Sequence, residues 1–436
     1  MEKQEFRRMY MAVMDEIVKK MEGYDLHIVK TGKFKTNTLI WKMKAPLQKE
    51  DATLRALFPY VLQSSSSRFP ATGLLRSHLD DLYGASLYVD LAKKGEYHVV
   101  TFSMDIANEK FLSDPAPLLR KAFEFLAEIL LKPNAQDGKF NEETVRQEKR
   151  TQKQRIQSVF DDKMRYSNFR LVEEMCKGEP YALHVNGEMD EVDSITPEKL
   201  YQYYERAFAE DQLDFYVIGD VDPGEVEAMA GEYLKFSPRE PKQLPRGSSA
   251  EAGDVNEVKE IQDVKQGKLN IGYRTNILYG DKDYYALQVF NGIFGGFSHS
   301  KLFINVREKA SLAYYVASRL ESHKGLMMVM SGIDNKNYDQ AVGIIKDQME
   351  AMVNGDFTEE EMAQTKAVIK NQLLETIDTA RGMTEILYHN VVAGQEISLD
   401  LWMDEMDKAT KEDIVAAAKK ISMDTVYFLT GTEAGE

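Results

Sequence analysis

The chain has 436 residues, room for two large domains or about three of roughly 150 residues each. Its composition, 43% hydrophobic and 29% charged, is that of a globular protein and excludes a disordered tail, a collagen-like fibre and a membrane bundle. Lys and Arg number 55 against 71 Asp and Glu, a formal net charge of −16; such a surface repels phosphate backbones, so no nucleic-acid partner is expected. The one cysteine, Cys176, excludes an intramolecular disulfide and a cysteine-rich metal site, and reads as a small residue on a helix.

In chain order, the first thirty residues lack the apolar run of a signal peptide, because Glu2, Glu5, Asp15 and Glu16 interrupt them. The spacing of Phe6, Met9, Tyr10, Val13, Ile17 and Met21 predicts an amphipathic helix there. No stretch approaches the roughly 18 apolar residues of a membrane span, so no membrane partner is expected and the expected location is cytoplasmic. Apolar, β-branched or aromatic runs predict strands over 36–45, 97–106, 214–221, 268–275, 325–333 and 425–431. Helical periodicity predicts helices over 115–131, 141–175, 196–208, 223–234, 338–354 and 359–377. SSSSRFPATG, residues 64–73, is the most loop-like stretch of the first half and reads as a connector or a mobile lid, the connector favoured. Residues 236–257 are rich in Pro, Gly, Ser and charge, with no apolar periodicity, and read as a linker. It would join an N-terminal domain, 1–235, to a C-terminal one, 258–436.

An internal repeat supports that division. FNEETVRQEKRTQKQRI from Phe140 and FTEEEMAQTKAVIKNQL from Phe357 share Phe140/Phe357, Glu142/Glu359, Glu143/Glu360, Gln147/Gln364, Lys149/Lys366 and Lys153/Lys370 at one offset, 217. The second copy opens with a capping box, Thr358 with Glu361. Further on, Thr196 and Thr410 each open an amphipathic helix that leads through a turn into a buried strand, at an offset of 214. Two elements in one order at nearly one offset indicate a tandem duplication. Each half reads as a sheet with helices packed on one face, an α+β fold of two similar domains.

In the second half, FNGIFGGFSHSKLFINVREKASLAYYVASRLESHKGLMMVMSGID (290–334) carries Gly292, Gly295 and Gly296, then Leu302-Phe303, Arg307-Glu308-Lys309, Leu312-Ala313-Tyr314, and a strand led by Gly325. The first half carries Pro180-Tyr181, Gly187, the helix from Thr196 and Val217-Ile218-Gly219-Asp220-Val221. These segments resemble the pitrilysin-type (inverzincin) metallopeptidases, a family that includes insulin-degrading enzyme, the mitochondrial processing peptidase and many short bacterial homologues. The resemblance runs from about residue 25 to 431 and implies mostly antiparallel sheets in two halves that together form half of a clamshell chamber.

The family's zinc site is H-x-x-E-H on a helix, whose histidines at i and i+4 share one face while the Glu acts as base on the zinc-bound water. The resemblance places the two histidines at Leu57 and Val61, the base at Tyr60 and the third ligand, on a later helix, at Arg155. None can serve, and Pro59 interrupts the same helix. The seven histidines (His27, His78, His98, His184, His299, His323, His389) are scattered. His78 with Asp81 has helical spacing, read as a surface pair ahead of a metal site. No metal is expected in this chain.

The family's substrate-holding Arg and Tyr, seven residues apart in the second half, correspond to Arg307 and Tyr314. A Tyr hydroxyl can donate to a carbonyl oxygen as it becomes an oxyanion, and an Arg can anchor a nearby carbonyl. The bland reading is a helix-surface Arg and a core Tyr. Tyr315, the next residue on a strand, would point to the opposite face. The resemblance therefore implies a non-catalytic, substrate-binding subunit of a heterodimeric zinc metallopeptidase acting on unfolded peptides. Its partner would be a homologous chain bearing H-x-x-E-H and the zinc. The other readings are a structural scaffold, a stand-alone peptide-binding protein and, least favoured, a peptidase with a rearranged metal site.

Overall fold

The computed structural model describes residues 14–113, 116–247 and 253–431. Two compact units emerge: the chain up to Ser158 with Leu183–Leu244, and Val159–Ala182 with the chain from Pro245 on.

The first unit is built on a sheet of β1 (Glu16–Met21), β2 (Tyr24–Lys30), β3 (Thr36–Pro46), β4 (Ser86–Lys94), β5 (Tyr97–Ala107) and β8 (Gln212–Gly219), in the order β1-β2-β8-β3-β5-β4. A two-residue hairpin, β6 (Ala135–Gln136) with β7 (Lys139–Phe140), stands apart from it. The second sheet holds β9 (Asn256–Ile261), β10 (Gly267–Arg274), β11 (Ala313–Glu321), β12 (Leu326–Ile333) and β13 (Ser422–Thr430), in the order β11-β12-β10-β13-β9. Laid side by side, β4-β5-β3-β8-β2 and β11-β12-β10-β13-β9 are one topology. Even the single parallel pair of each sheet, β2 with β8 and β9 with β13, falls at the same place. The duplication read from the sequence is thus present strand by strand, with β1 the extra strand of the first unit.

Period-two alternation sorts each strand's side chains. Leu39, Trp41 and Met43 of β3, Val100, Phe102 and Met104 of β5, and Phe215 and Val217 of β8 are buried with the helices Lys49–Ser64, Leu118–Leu131 and Pro197–Glu210. The second core is separate: Leu269, Ile271 and Tyr273 of β10 with Val426 and Phe428 of β13, under the helices Tyr284–Asn291, Tyr338–Asn354 and Lys411–Ala418.

Several expectations are corrected. The N-terminal helix is not found at its C-terminal end: Ile17 and Met21 lie on β1, packed against the first core. Residues four apart share a strand face as well as a helix face, so the spacing was ambiguous; Phe6, Met9, Tyr10 and Val13 lie outside the described residues. A tight turn at Gly23, in the left-handed region at φ +83°, returns β1 onto β2. The long pattern over 141–175 is two helices, Glu142–Asp161 and Lys163–Met175, because the Asp162 carboxylate accepts from the backbone N–H of Met164 and Arg165 and starts a new helix.

Near that break the division departs from a simple halving at residue 235: Val159–Ala182 belongs to the second unit, while the later passage between units, Leu244 to Pro245, falls within 236–257. Helix Lys163–Met175 packs on β10 and β13 of the second sheet, where Tyr166 and Leu171 meet Tyr427 and Leu429. It covers the face of that sheet opposite its own helices. Fully buried Cys176 ends this helix in an apolar cluster with Tyr181 and Leu326. Behind it, Glu179 pairs with both Arg274 (2.7 Å) and Lys324 (2.6 Å), while Arg274 also bonds Asp424 and the Met175 carbonyl.

Candidate functional site

The helix Lys49–Ser64 runs straight through Pro59 and buries Leu57 and Val61 in the first core. Tyr60, one face further round, is half-buried. From helix Glu142–Asp161 the Arg155 guanidinium carbon lies 3.4 Å from the centre of the Tyr60 ring. Two positions almost a hundred residues apart, assigned by resemblance to the same vanished zinc site, are in contact. Arg155 also donates to Gln152 (3.2 Å) and to Glu148 (3.5 Å), and Glu148 in turn accepts from the Ser64 hydroxyl at 2.6 Å. Glu148 and Ser64 were not singled out from sequence; their link becomes visible only once the two helices are packed. Burial pushes the Tyr60 phenol up, against the pull of Arg155.

These residues do not fit a zinc ion. Leu57 and Val61 offer no donor atom, and a guanidinium that never deprotonates sits where the third ligand would be. Of the nearby carboxylates, Glu148 is already engaged by Arg155 and Ser64. The ring and the cation satisfy each other as a cation–π pair, worth about 1 kcal/mol.

The His78 ring stacks on Phe69 and lies tilted against Phe125, and burial together with nearby Arg68 lowers its pKa. The 64–73 segment is a pinned connector. Ser66 is buried and donates to Glu128 (3.0 Å), Arg68 N–H donates to the same carboxylate (2.7 Å), and Ser67 N–H bonds the Lys132 carbonyl.

In the second unit Arg307 lies in the last turn of an irregular wide-turn helix, Phe303–Lys309, with its guanidinium over the Phe303 ring at 4.7 Å and 3.9 Å from Glu308. Ser311, in the left-handed region at φ +52°, turns the chain into β11. β11 is the edge of its sheet, and its pairing slips between Ala313 and Tyr315. At that irregularity Tyr314 is 65% exposed, and its phenol has no hydrogen-bond partner among the described residues. Tyr315 is the reverse. Its ring lies where a side chain on Gly332 would have to go, its hydroxyl is buried, and burial pushes its pKa up to about 12. The alternation expected of a strand therefore separates the two tyrosines, and Tyr314 is not a core aromatic.

Among the described residues no helix is long and apolar enough to cross a membrane. Residues 194–369 match the family described as "Peptidase M16 inactive domain". A Bacillus subtilis protein, "Probable inactive metalloprotease YmfF", is 57% identical over 97% of this chain and 99% of its own length. A conserved protein of Enterococcus faecalis V583, solved by crystallography, is 35% identical with a TM-score of 0.89 over 97% of this chain and 100% of that one. The peptidase M16 inactive domain from Pseudomonas fluorescens shares the fold, with a TM-score of 0.79 at 18% identity over 97% of this chain and 100% of that one. These matches, over nearly the whole chain, show that the chain belongs to the M16, pitrilysin-type metallopeptidase family.

Proposed function

We propose that this chain is the non-catalytic, substrate-binding subunit of a heterodimeric zinc metallopeptidase that processes unfolded peptides in the cytoplasm. Its partner is a homologous chain with an intact H-x-x-E-H, which holds the zinc and activates the water. The observation that carries this reading is the contrast between the two units. Arg155 is stacked on Tyr60 where the resemblance puts the zinc site of the first, whereas Tyr314 of the second presents a phenol with no hydrogen-bond partner among the described residues at the start of an edge strand. A scaffold has no use for an exposed oxyanion donor. In the heterodimer Tyr314 donates to the carbonyl oxygen under attack and Arg307 anchors a neighbouring carbonyl.

The test is to mix the chain with a zinc-bearing homologue and follow cleavage of a quenched unstructured peptide. Tyr314→Phe is expected to lower kcat at least tenfold, because loss of one oxyanion donor typically costs about 10²–10³. Unchanged turnover would assign the chain to a structural role. Tight peptide binding by the isolated chain in a calorimeter, with no gain on adding the partner, would point to a stand-alone binder.

A further inference from the structure

The two sheets of the duplicated fold differ at one edge. In the first unit β2 is covered by β1, which pairs with it antiparallel. In the second unit β9, the counterpart of β2, pairs with β13, and among the described residues no strand lies on its outer side. The fold therefore seats an antiparallel strand at this place in one half and leaves it open in the other. An open edge is a row of unpaired N–H and C=O groups, a template for pairing with another chain. We infer that β9 is a self-association edge: two copies of this chain pair β9 with β9, antiparallel, about a two-fold axis at Val258, and so join two five-stranded sheets into one.

The register follows from the backbone. In a parallel ladder successive residues turn their N–H and C=O alternately toward and away from the neighbouring strand. The Gln262 N–H bonds the Thr430 carbonyl of β13 at 2.9 Å, so Glu260, Val258 and Asn256 also face β13, while Ile261, Lys259, Glu257 and Val255 turn outward. Two antiparallel copies bond only where outward residues meet outward residues, which puts the axis through a residue and not between two. With the axis at Val258, Glu257 lies opposite Lys259 of the second copy, and Val255 opposite its Ile261. Each such pair exchanges two hydrogen bonds. Moving the axis to Glu257 or to Lys259 sets two carboxylates or two ammonium groups directly opposite each other, which is destabilising.

The side chains fit the same register. Val255 and Ile261 are 42% and 66% exposed, and the pairing brings them together on one face. Glu257 and Lys259 are exposed on that face, and neither makes an ion pair among the described residues; Lys259 lies over the Tyr338 ring at 4.1 Å. A lone edge lysine would repel a second strand; Glu257, two residues before it, turns that charge into an attraction. On the other face Val258 meets its own copy, beside Glu260, which the Tyr166 and Tyr427 hydroxyls hold in place.

A six-residue edge buries little area, so the dimer is weak and its population follows concentration. Tyr314 lies on β11, at the opposite edge of the same sheet, about 19 Å away across four strand spacings. Pairing through β9 therefore leaves it open and does not depend on the proposed function.

The experiment is sedimentation velocity on the full chain at rising concentration, with amide hydrogen exchange on the same samples. Monomer is expected to give way to dimer, and exchange at Glu257, Lys259 and Ile261 to slow in step. Lys259→Glu sets like charges opposite each other and should weaken association by about tenfold or more. Combining it with Glu257→Lys restores opposite charges across the axis and should recover wild-type association; both positions are exposed, so the fold is kept. A monomer at every concentration, a dimer that Lys259→Glu does not weaken, or one that the charge exchange fails to recover overturns the proposal. Protected amides in a monomer would mean that another segment of this chain takes the edge, and would overturn it as well.

Discussion

The Arg155 guanidinium is stacked on the Tyr60 ring at 3.4 Å, so two residues at positions that the resemblance assigns to a zinc site stabilise each other. A double-mutant cycle on Arg155→Met and Tyr60→Leu is expected to return a coupling of about 1 kcal/mol in urea denaturation. The same contact makes the metal site hard to restore. Leu57→His, Tyr60→Glu and Val61→His together should leave the isolated chain without peptidase activity while Arg155 remains, and should lower stability by several kcal/mol because two fully buried aliphatics become polar. Cleavage of an unstructured peptide by that triple variant alone would refute the assignment of Arg155 to the third ligand position.

Glu179 is the carboxylate on which two almost fully buried cations, Arg274 and Lys324, converge. Burial raises its pKa, but the two cations outweigh burial and hold it below the usual range. Glu179→Gln removes the negative charge and leaves both cations short of a partner, so a loss of about 3 kcal/mol is expected. The folded-state pKa is depressed, so wild-type stability from this group is present above pH 4.5 and lost as the solution is acidified below it. Chemical denaturation at pH 7 and pH 4 should show the variant's deficit shrinking at the lower pH.

Two histidines of the first unit make a different acid sensitivity. Burial, with Lys93 nearby, lowers His184 to about 4, and burial beside Arg55 pushes His98 well below the ordinary range. Both are neutral in the native state and gain a proton on unfolding below about pH 6.5. Stability should therefore decline as pH falls from 6.5 toward 4, by on the order of 3 kcal/mol from His184 alone. Melting curves of His184→Gln over this range should be flatter than those of wild type; parallel curves would show that His184 keeps its ordinary pKa when folded.

Much of the fold is written in the central strands. β3, β5, β8, β10, β12 and β13 are near-continuous apolar runs because other strands flank them on both sides, and each falls where hydropathy puts it. The edge strands β1, β4, β9 and β11 are not legible in this way. Sequences such as NEVKEI and AYYVASRLE are half solvated, and their alternation is diluted by charge. β2, YDLHIVK, was also missed: its charged ends and buried His27 mask a strand that lies inside the sheet. The helix break at Asp162 was overlooked since the apolar period carries on across it. At the candidate site the residue types were readable, but the stacking of Arg155 on Tyr60 depends on how two distant helices pack.

The repeated lysines give the clearest match between sequence and structure. Lys149 donates to the carbonyls of Asp193 and Ile195 at 2.9 and 2.8 Å, and Lys366 to those of Asp407 and Ala409 at 2.9 and 2.6 Å. One turn on, Lys153 pairs with the Asp193 carboxylate and Lys370 with that of Asp407. In each unit two lysines of one helix thus clamp the loop that leads into a later helix, the one opened by Thr196 or Thr410. Loop carbonyls at that turn have no strand to bond to, so an ammonium group with three donors meets the need. Lys149→Met and Lys366→Met should each cost about 1–3 kcal/mol, the range of a lost charged hydrogen bond. Because each clamp closes within its own unit, the double variant should show additive losses to within about 0.5 kcal/mol. A cost confined to one of the two lysines would mean that the shared residues no longer do the same work.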